Sequence, residues 1–391
     1  MSEYLISAVS PKDHYTNEAV ERLLLKEGIR RDKNLDYTCA MLDNDANVIA
    51  TGSCCGNTLR CMAVDSAHQG EALMNDIVSH LIDYQFARGN FHLFLYTKCS
   101  SAKFFANLGF SEIARVEGQI VFMENRKDGF RNYLAALQKE TAEYKASHAE
   151  NQQSAKPESA ADTADSSGAA NFSNTRPAGV PADSIRKNKI SALVMNANPF
   201  TLGHQYLAET ASHESDLVHL FIVSEDRSLI PFAVRKELVR KGTAHLDNII
   251  YHDSGSYIIS SATFPSYFQK DSEAVIESQA RLDLLIFAEI AKSLGISTRY
   301  VGDEPTSIVT SLYNRIMSDE LPRHNIACRI IPRKETNGKA ISASTVRQAL
   351  KDGRPELLAD LVPESTLTYF NSPEASPIIA RIQNETEVKH Y

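Results

Sequence analysis

Ile190-Ser191-Ala192-Leu193-Val194-Met195-Asn196-Ala197-Asn198-Pro199-Phe200-Thr201-Leu202-Gly203-His204 is the stretch that decides the fold of the larger half of this chain. An apolar run of strand length stops at two asparagines and a proline, and a helical pattern follows. The stretch therefore predicts a buried strand, a tight turn and a helix start. Thr201 and His204 have the spacing that puts two side chains on one face of a first helical turn, and Gly203 between them leaves room for a ligand near the backbone. The unpaired N–H groups of such a helix end favour an anion. A hydroxyl and an imidazole aimed at one spot suit a phosphate chain that is attacked at its α-phosphorus.

Far downstream, Ile341-Ser342-Ala343-Ser344-Thr345-Val346-Arg347 sets hydroxyls before a second helical pattern and a guanidinium in its first turn. Alone it reads as a well-capped helix. Together the two motifs resemble the nucleotidyltransferase superfamily, whose (H/T)-x-G-H and I-S-x-T/S-x-x-R signatures clasp an ATP triphosphate from two sides. The resemblance implies that His204, Thr201 and Arg347 carry the chemistry. It makes Asn196, Asn198, Pro199, Phe200, Gly203, Ser342, Ser344 and Thr345 candidate ATP-binding residues.

The chain has 391 residues, room for two or three domains, and its 43% hydrophobic and 23% charged content is that of an ordinary globular protein. No apolar run is long enough to cross a bilayer, and the start Met1-Ser2-Glu3-Tyr4 lacks the layout of a secretory signal. A cytoplasmic protein without a membrane partner is expected. The formal charge of -8 argues against nonspecific nucleic-acid binding. Cys39, Cys54, Cys55, Cys61 and Cys99 crowd the first third with no C-x-x-C pair and no histidine placed to complete a zinc site. They read as reduced structural thiols, and no metal site is predicted.

In the first 130 residues, Asn17 to Glu27 has helical spacing, and Tyr37–Leu42 and Val48–Gly52 flank an Asp-Asn-Asp turn as a hairpin. Leu59–Val64 reads as a strand, a helix runs through Leu73, Ile77 and Leu81, and His92–Thr97 is another strand. Ala102–Phe110 is a helix ending at Gly109. That order, closing on F-F-x-x-L-G-F, resembles the GNAT acetyltransferase fold. The family's pyrophosphate-binding turn corresponds to Ala67-His68-Gln69-Gly70-Glu71-Ala72, where Ala67 replaces a polar residue and Glu71 brings negative charge. A scaffold without acetyltransferase activity is expected, with the option that it holds a coenzyme-A-like arm of a partner.

Residues 131–186 read as a linker, helical to about Tyr144 and then disordered, because Ala, Ser, Asp and Pro replace large apolar residues. From 187 to 391 strands alternate with helices: Leu217–Val223, Asn248–Tyr251, Thr298–Val301 and Arg329–Ile331 are the later strands, with helices over about Ala233 to His245 and Ser278 to Leu294. The fold class is α/β: a GNAT-like α+β domain, a linker, and a Rossmann-like domain whose parallel sheet binds ligands at its strands' carboxyl ends. Gly302, Asp303 and Glu304 end a strand at that edge and are candidates to line adenosine or the Mg²⁺ shell. Arg235, Lys236, Arg240 and Lys241 read as a solvated helix face.

Ser260-Ser261-Ala262-Thr263-Phe264-Pro265-Ser266-Tyr267-Phe268, Val301-Gly302-Asp303-Glu304-Pro305, Val309-Thr310 and Tyr313-Asn314 resemble the citrate lyase ligase family in both domains and in their order. The resemblance implies that ATP, with Mg²⁺, and acetate are used to acetylate the prosthetic-group thiol on the acyl carrier subunit of the citrate lyase complex, releasing AMP and pyrophosphate. Two alternatives stay open at this point: a small-metabolite adenylyltransferase, and a noncatalytic nucleotide-responsive module that binds a carrier protein.

Overall fold

The computed structural model describes residues 4–32, 34–68, 72–154, 189–224, 228–258, 272–303, 308–336 and 338–385. The expectations for the Gln69–Glu71 turn, the disordered part of the linker, the Ser260–Phe268 motif and Glu304 lie outside these residues. None of the described helices is long and apolar enough to cross a membrane.

The N-terminal sheet contains β1 (Leu5–Ala8), β2 (Tyr37–Leu42), β3 (Val48–Cys55), β4 (Thr58–Val64), β5 (Phe94–Thr97), β6 (Ser111–Val116) and β7 (Ile120–Glu124), in the order β1-β2-β3-β4-β5-β7-β6. Helices α1 (His14–Lys26), α2 (Leu73–Ala87) and α3 (Ala102–Asn107) cover it. The element order is that of a GNAT-like sheet. Neighbours are antiparallel except β4 and β5, which run parallel and pair only through Thr58 with Phe94 and Leu59 with Leu95. Beyond those pairs a slot of about 250 Å³ opens, lined by Met62, Met74, Tyr96, Lys98, Phe104 and Phe105 among others.

The C-terminal sheet is parallel throughout, with β8 (Ile190–Met195), β9 (Leu217–Ile222), β10 (Ile249–Asp253), β11 (Thr298–Gly302) and β12 (Ala327–Ile331) in the order β10-β9-β8-β11-β12. Strands β8 to β11 are largely buried because α5 (Leu202–His213), α6 (Phe232–Gly242), α7 (Ser272–Leu294) and α8 (Ile308–Glu320) cross between the strands, while the edge strand β12 is mostly exposed. The strand order reverses between β8 and β11, so the crevice at their carboxyl ends is the expected ligand site. A short hairpin of β13 (Glu335–Thr336) and β14 (Lys339–Ala340) leads into α9 (Ala343–Lys351), and α10 (Glu364–Phe370) and α11 (Ser376–Asn384) close the chain. The sequence reading did not include the hairpin, α8, α10 or α11.

Helix α4 spans Gly129–Ser154, longer than the helix expected up to about Tyr144. Its stability comes from tertiary packing rather than from an apolar composition. Leu137 lies in one buried cluster with Phe94, Phe122, Leu282, Ile286 and Phe287, so the two sheets and α7 share a core. Polar contacts fix the helix further: Tyr133 donates to the Asp253 carbonyl at 3.1 Å, Tyr144 to that of Asp247, and Gln138 to that of Ser293 at 3.1 Å. Glu140 accepts from His252 Nδ1 at 2.6 Å, and His252 Nε2 lies 2.8 Å from Nδ1 of fully buried His219. Burial lowers the pKa of both imidazoles, that of His219 to about 3, so the two rings are uncharged at neutral pH. What reads as the start of a tether is thus an outer helix of the C-terminal layer.

Candidate active site

The turn after β8 is anchored from below by a wedge. Phe200 is fully buried, and a Cβ at Gly242 of α6 would run into its ring. The ring also stacks on the His204 imidazole, centroids 5.8 Å apart and planes 18° from parallel. Phe200 and Pro199, both expected to line the nucleotide, lie behind the cleft wall and support it, because the turn drives the aromatic ring into the core. The Asn198-Pro199 peptide is cis.

Thr201 caps α5, and its partner in the capping box is a histidine rather than the usual glutamate. The Thr201 hydroxyl accepts from the His204 backbone N–H at 3.3 Å, and the Thr201 backbone N–H donates to His204 Nδ1 at 3.1 Å. The hydroxyl oxygen is also 2.9 Å from Nδ1. Because Nδ1 accepts a backbone proton, the ring carries its own proton on Nε2. Burial, aided by the Arg333 charge, pushes the imidazole pKa down to about 4, so at neutral pH His204 is an uncharged donor. The Thr201 hydroxyl is buried and occupied with the ring, which makes Thr201 the residue that orients His204.

The second motif meets the first directly. Ser342 caps α9, accepting from the Thr345 N–H at 3.1 Å, with the Ser344 and Thr345 hydroxyls 2.8 and 2.7 Å from its own. Buried Arg347 donates Nη1 to the Asn198 carbonyl. A Cβ at Gly203 would lie 3.4 Å from the Ile341 carbonyl, an ordinary contact, so the second motif packs beside this stretch of backbone, which also lines the cavity. Both motifs line one cavity of about 310 Å³ at the carboxyl ends of β8 and β11, with Asn196, Asn198, Thr201, Gly203, His204, Gly302, Ser342 and Arg347 in its walls. Ser344 and Thr345 reach that wall only through Ser342, and Thr345 is exposed. Asp303, also exposed, contributes its carbonyl to Arg333 rather than a carboxylate to the cavity wall.

Two cations of this cleft were not singled out from the sequence. Arg333 and Lys334 follow β12 at the ligand edge and line the cavity. Arg333 Nε donates to the Asp303 carbonyl at 2.7 Å and Nη1 to the Ile341 carbonyl at 3.4 Å, so the guanidinium bridges the end of β11 and the entry to α9. Burial lowers its pKa, opposed by the Asp303 carboxylate. Their position just past a parallel strand was the available signal. Arg235, expected on a solvated face, is instead fully buried beneath the turn. Among the described residues no group of three or more His, Cys, Asp or Glu side chains could hold a metal. The imidazole, guanidinium and helix-end donors present suit an anion such as a phosphate chain.

The profile of the citrate lyase ligase C-terminal domain matches residues 190–370. The [citrate [pro-3S]-lyase] ligase of Haemophilus influenzae is 32% identical over 357 residues, covering 90% of this chain and 94% of that protein. The enzyme of the same name from Escherichia coli K12 is 34% identical over 350 residues, 87% of either chain. Among solved structures, a GNAT-family acetyltransferase from Staphylococcus aureus covers 32% of this chain and 99% of its own, at 14% identity and a TM-score of 0.27.

Proposed function

Because the chain belongs to the citrate lyase ligase family, we propose that it activates acetate with ATP and passes the acetyl group to the prosthetic-group thiol on the acyl carrier subunit of citrate lyase. An acetate oxygen attacks the α-phosphorus of ATP, the bond to the β-phosphate oxygen breaks, and pyrophosphate leaves with that electron pair. The thiol sulfur then attacks the carbonyl carbon of acetyl adenylate, giving a thioester and AMP and releasing one proton.

The chemistry asks for donors where negative charge grows, in a site that limits water. His204, neutral and carrying its proton on Nε2, donates to a phosphate oxygen without needing to change protonation state. Arg333 adds a fixed positive charge to the same cleft, and the α9 amides behind Ser342 offer N–H groups to the outer phosphates. A divalent cation arriving with ATP would supply further charge neutralisation for the leaving group, beside the donors of the cleft. Thr201 orients the imidazole, and Arg347 holds the two motifs together through the Asn198 carbonyl. No side chain has to act as a covalent nucleophile.

The observation that carries this reading is the closure of both motifs on one cavity at the switch point of the parallel sheet. The slot between β4 and β5, apolar and flanked by strand edges that have stopped pairing, is the place we assign to the carrier's arm. Incubating the full chain with ATP, Mg²⁺ and labelled acetate tests the reaction. With the thiol form of citrate lyase present, AMP and label on the carrier accumulate together; a dinucleotide-like product, or ATP binding without AMP, would instead favour one of the alternatives.

A further inference from the structure

We propose that Arg235 is a positioning residue that aims the side-chain amide of Asn198 at a substrate oxygen; the inference rests on the ATP-dependent reading above. Arg235 is 0% exposed on α6, directly under the turn that follows β8. Its Nη1 donates to the Asn196 carbonyl at 2.7 Å, to Asn196 Oδ1 at 2.8 Å and to the Val223 carbonyl at 2.8 Å, while Nε donates to the Ile230 carbonyl at 3.0 Å. One rigid guanidinium thereby ties the ends of β8 and β9 to the segment before α6. A lysine, a point charge with no fork, cannot reproduce that geometry.

The Ile230 N–H, on the segment whose carbonyl Arg235 holds, donates to Asn198 Oδ1 at 3.2 Å. That bond fixes which end of the Asn198 amide is the acceptor. Its Nδ2 is buried and has no hydrogen-bond partner among the described residues, and Asn198 lines the same cavity as His204. A buried donor left unmet is costly, and an anionic oxygen entering the cleft relieves the cost. That oxygen belongs to a phosphate of ATP or to the carboxylate of acetate.

Full-length wild type, Asn198→Ala, Arg235→Lys and the double variant decide the matter. ATP is titrated by calorimetry and acetate is varied in the pyrophosphate exchange reaction. Asn198→Ala is expected to weaken one of the two substrates by about 10-fold or more, as for a lost hydrogen bond to a charged group. Arg235→Lys weakens the same substrate, and the double variant is no weaker than the weaker single one, because the two act in series. The substrate that moves identifies the oxygen. Multiplied effects, or Asn198→Ala equal to wild type with both substrates, would overturn the proposal. Should Arg235→Lys fail to fold, Asn198→Asp decides: it keeps the acceptor for Ile230, replaces the donor with an anion, and is expected to bind more weakly than Asn198→Ala. Wild type that fails to exchange would overturn the functional reading; the ATP titration then decides this one by itself, and an ATP affinity unmoved by Asn198→Ala would overturn it.

Discussion

The cleft at the end of β8 and the slot between β4 and β5 are cavities of similar size with opposite chemistry. The first, about 310 Å³, is walled by an imidazole, guanidinium groups, an amide and a helix N-terminus. The second, about 250 Å³, is walled mainly by methionine and aromatic side chains, and burial raises the pKa of its Tyr96 phenol. A phenol pushed in that direction keeps its proton, so it is no base. One region is lined by polar donors and the other by apolar side chains, and α4 with α7 joins them through a common core.

If the regions are as unequal as this, changes in their shared support should disturb folding and changes in the slot should leave adenylation alone. Leu137→Ala, in the buried cluster that α4 shares with both sheets, is expected to cost about 2–5 kcal/mol of stability in denaturant unfolding. A cost near zero would return α4 to the status of a tether. His204→Ala should lower acetate-dependent exchange by about 10²–10³-fold with the fold retained. Arg333→Met should lower it by about 10- to 100-fold, as for the loss of one hydrogen bond to a charged group. Lys98→Glu, at the exposed rim of the slot, should leave exchange unchanged and raise the KM for the carrier by no more than about fivefold.

The pH profile sharpens the contrast. His204 has a folded pKa of about 4 against an ordinary value of 6.5. The unfolded chain therefore binds more protons at this residue between those values, and its contribution to stability falls as pH drops from about 6.5 through about 4. Activity limited by this ring should likewise persist below pH 6 and show its acid limb near 4. A limb at 6.5, absent in an exchange-competent His204 variant, would mean that the imidazole is not held as an Nε2 donor.

Much of the cleft could be read from the chain because its parts are local. A strand, a turn and a capped helix lie within Ile190–His204, and hydroxyls with an arginine lie within Ile341–Arg347. What escaped was non-local. Arg235 reads as one of several cations on a helix, and only the fold shows that it faces inward onto three carbonyls. Phe200 reads as part of a binding turn, yet apolar burial against Gly242 draws it behind the wall. Helix α4 reads as the start of a linker because the partners that dock it, Asp253, His252 and Ser293, lie more than 100 residues away. Arg333 and Lys334 acquire meaning only once β12 is known to end beside β11.

The central claim is that the C-terminal cleft makes acetyl adenylate by itself, before any carrier is engaged. Labelled pyrophosphate mixed with the full chain, ATP and Mg²⁺, without citrate lyase, tests it most directly. The account predicts that label enters ATP only when acetate is added and that His204→Ala nearly abolishes the exchange. Exchange that ignores acetate, or AMP that forms only with the carrier present and without exchange, would contradict it.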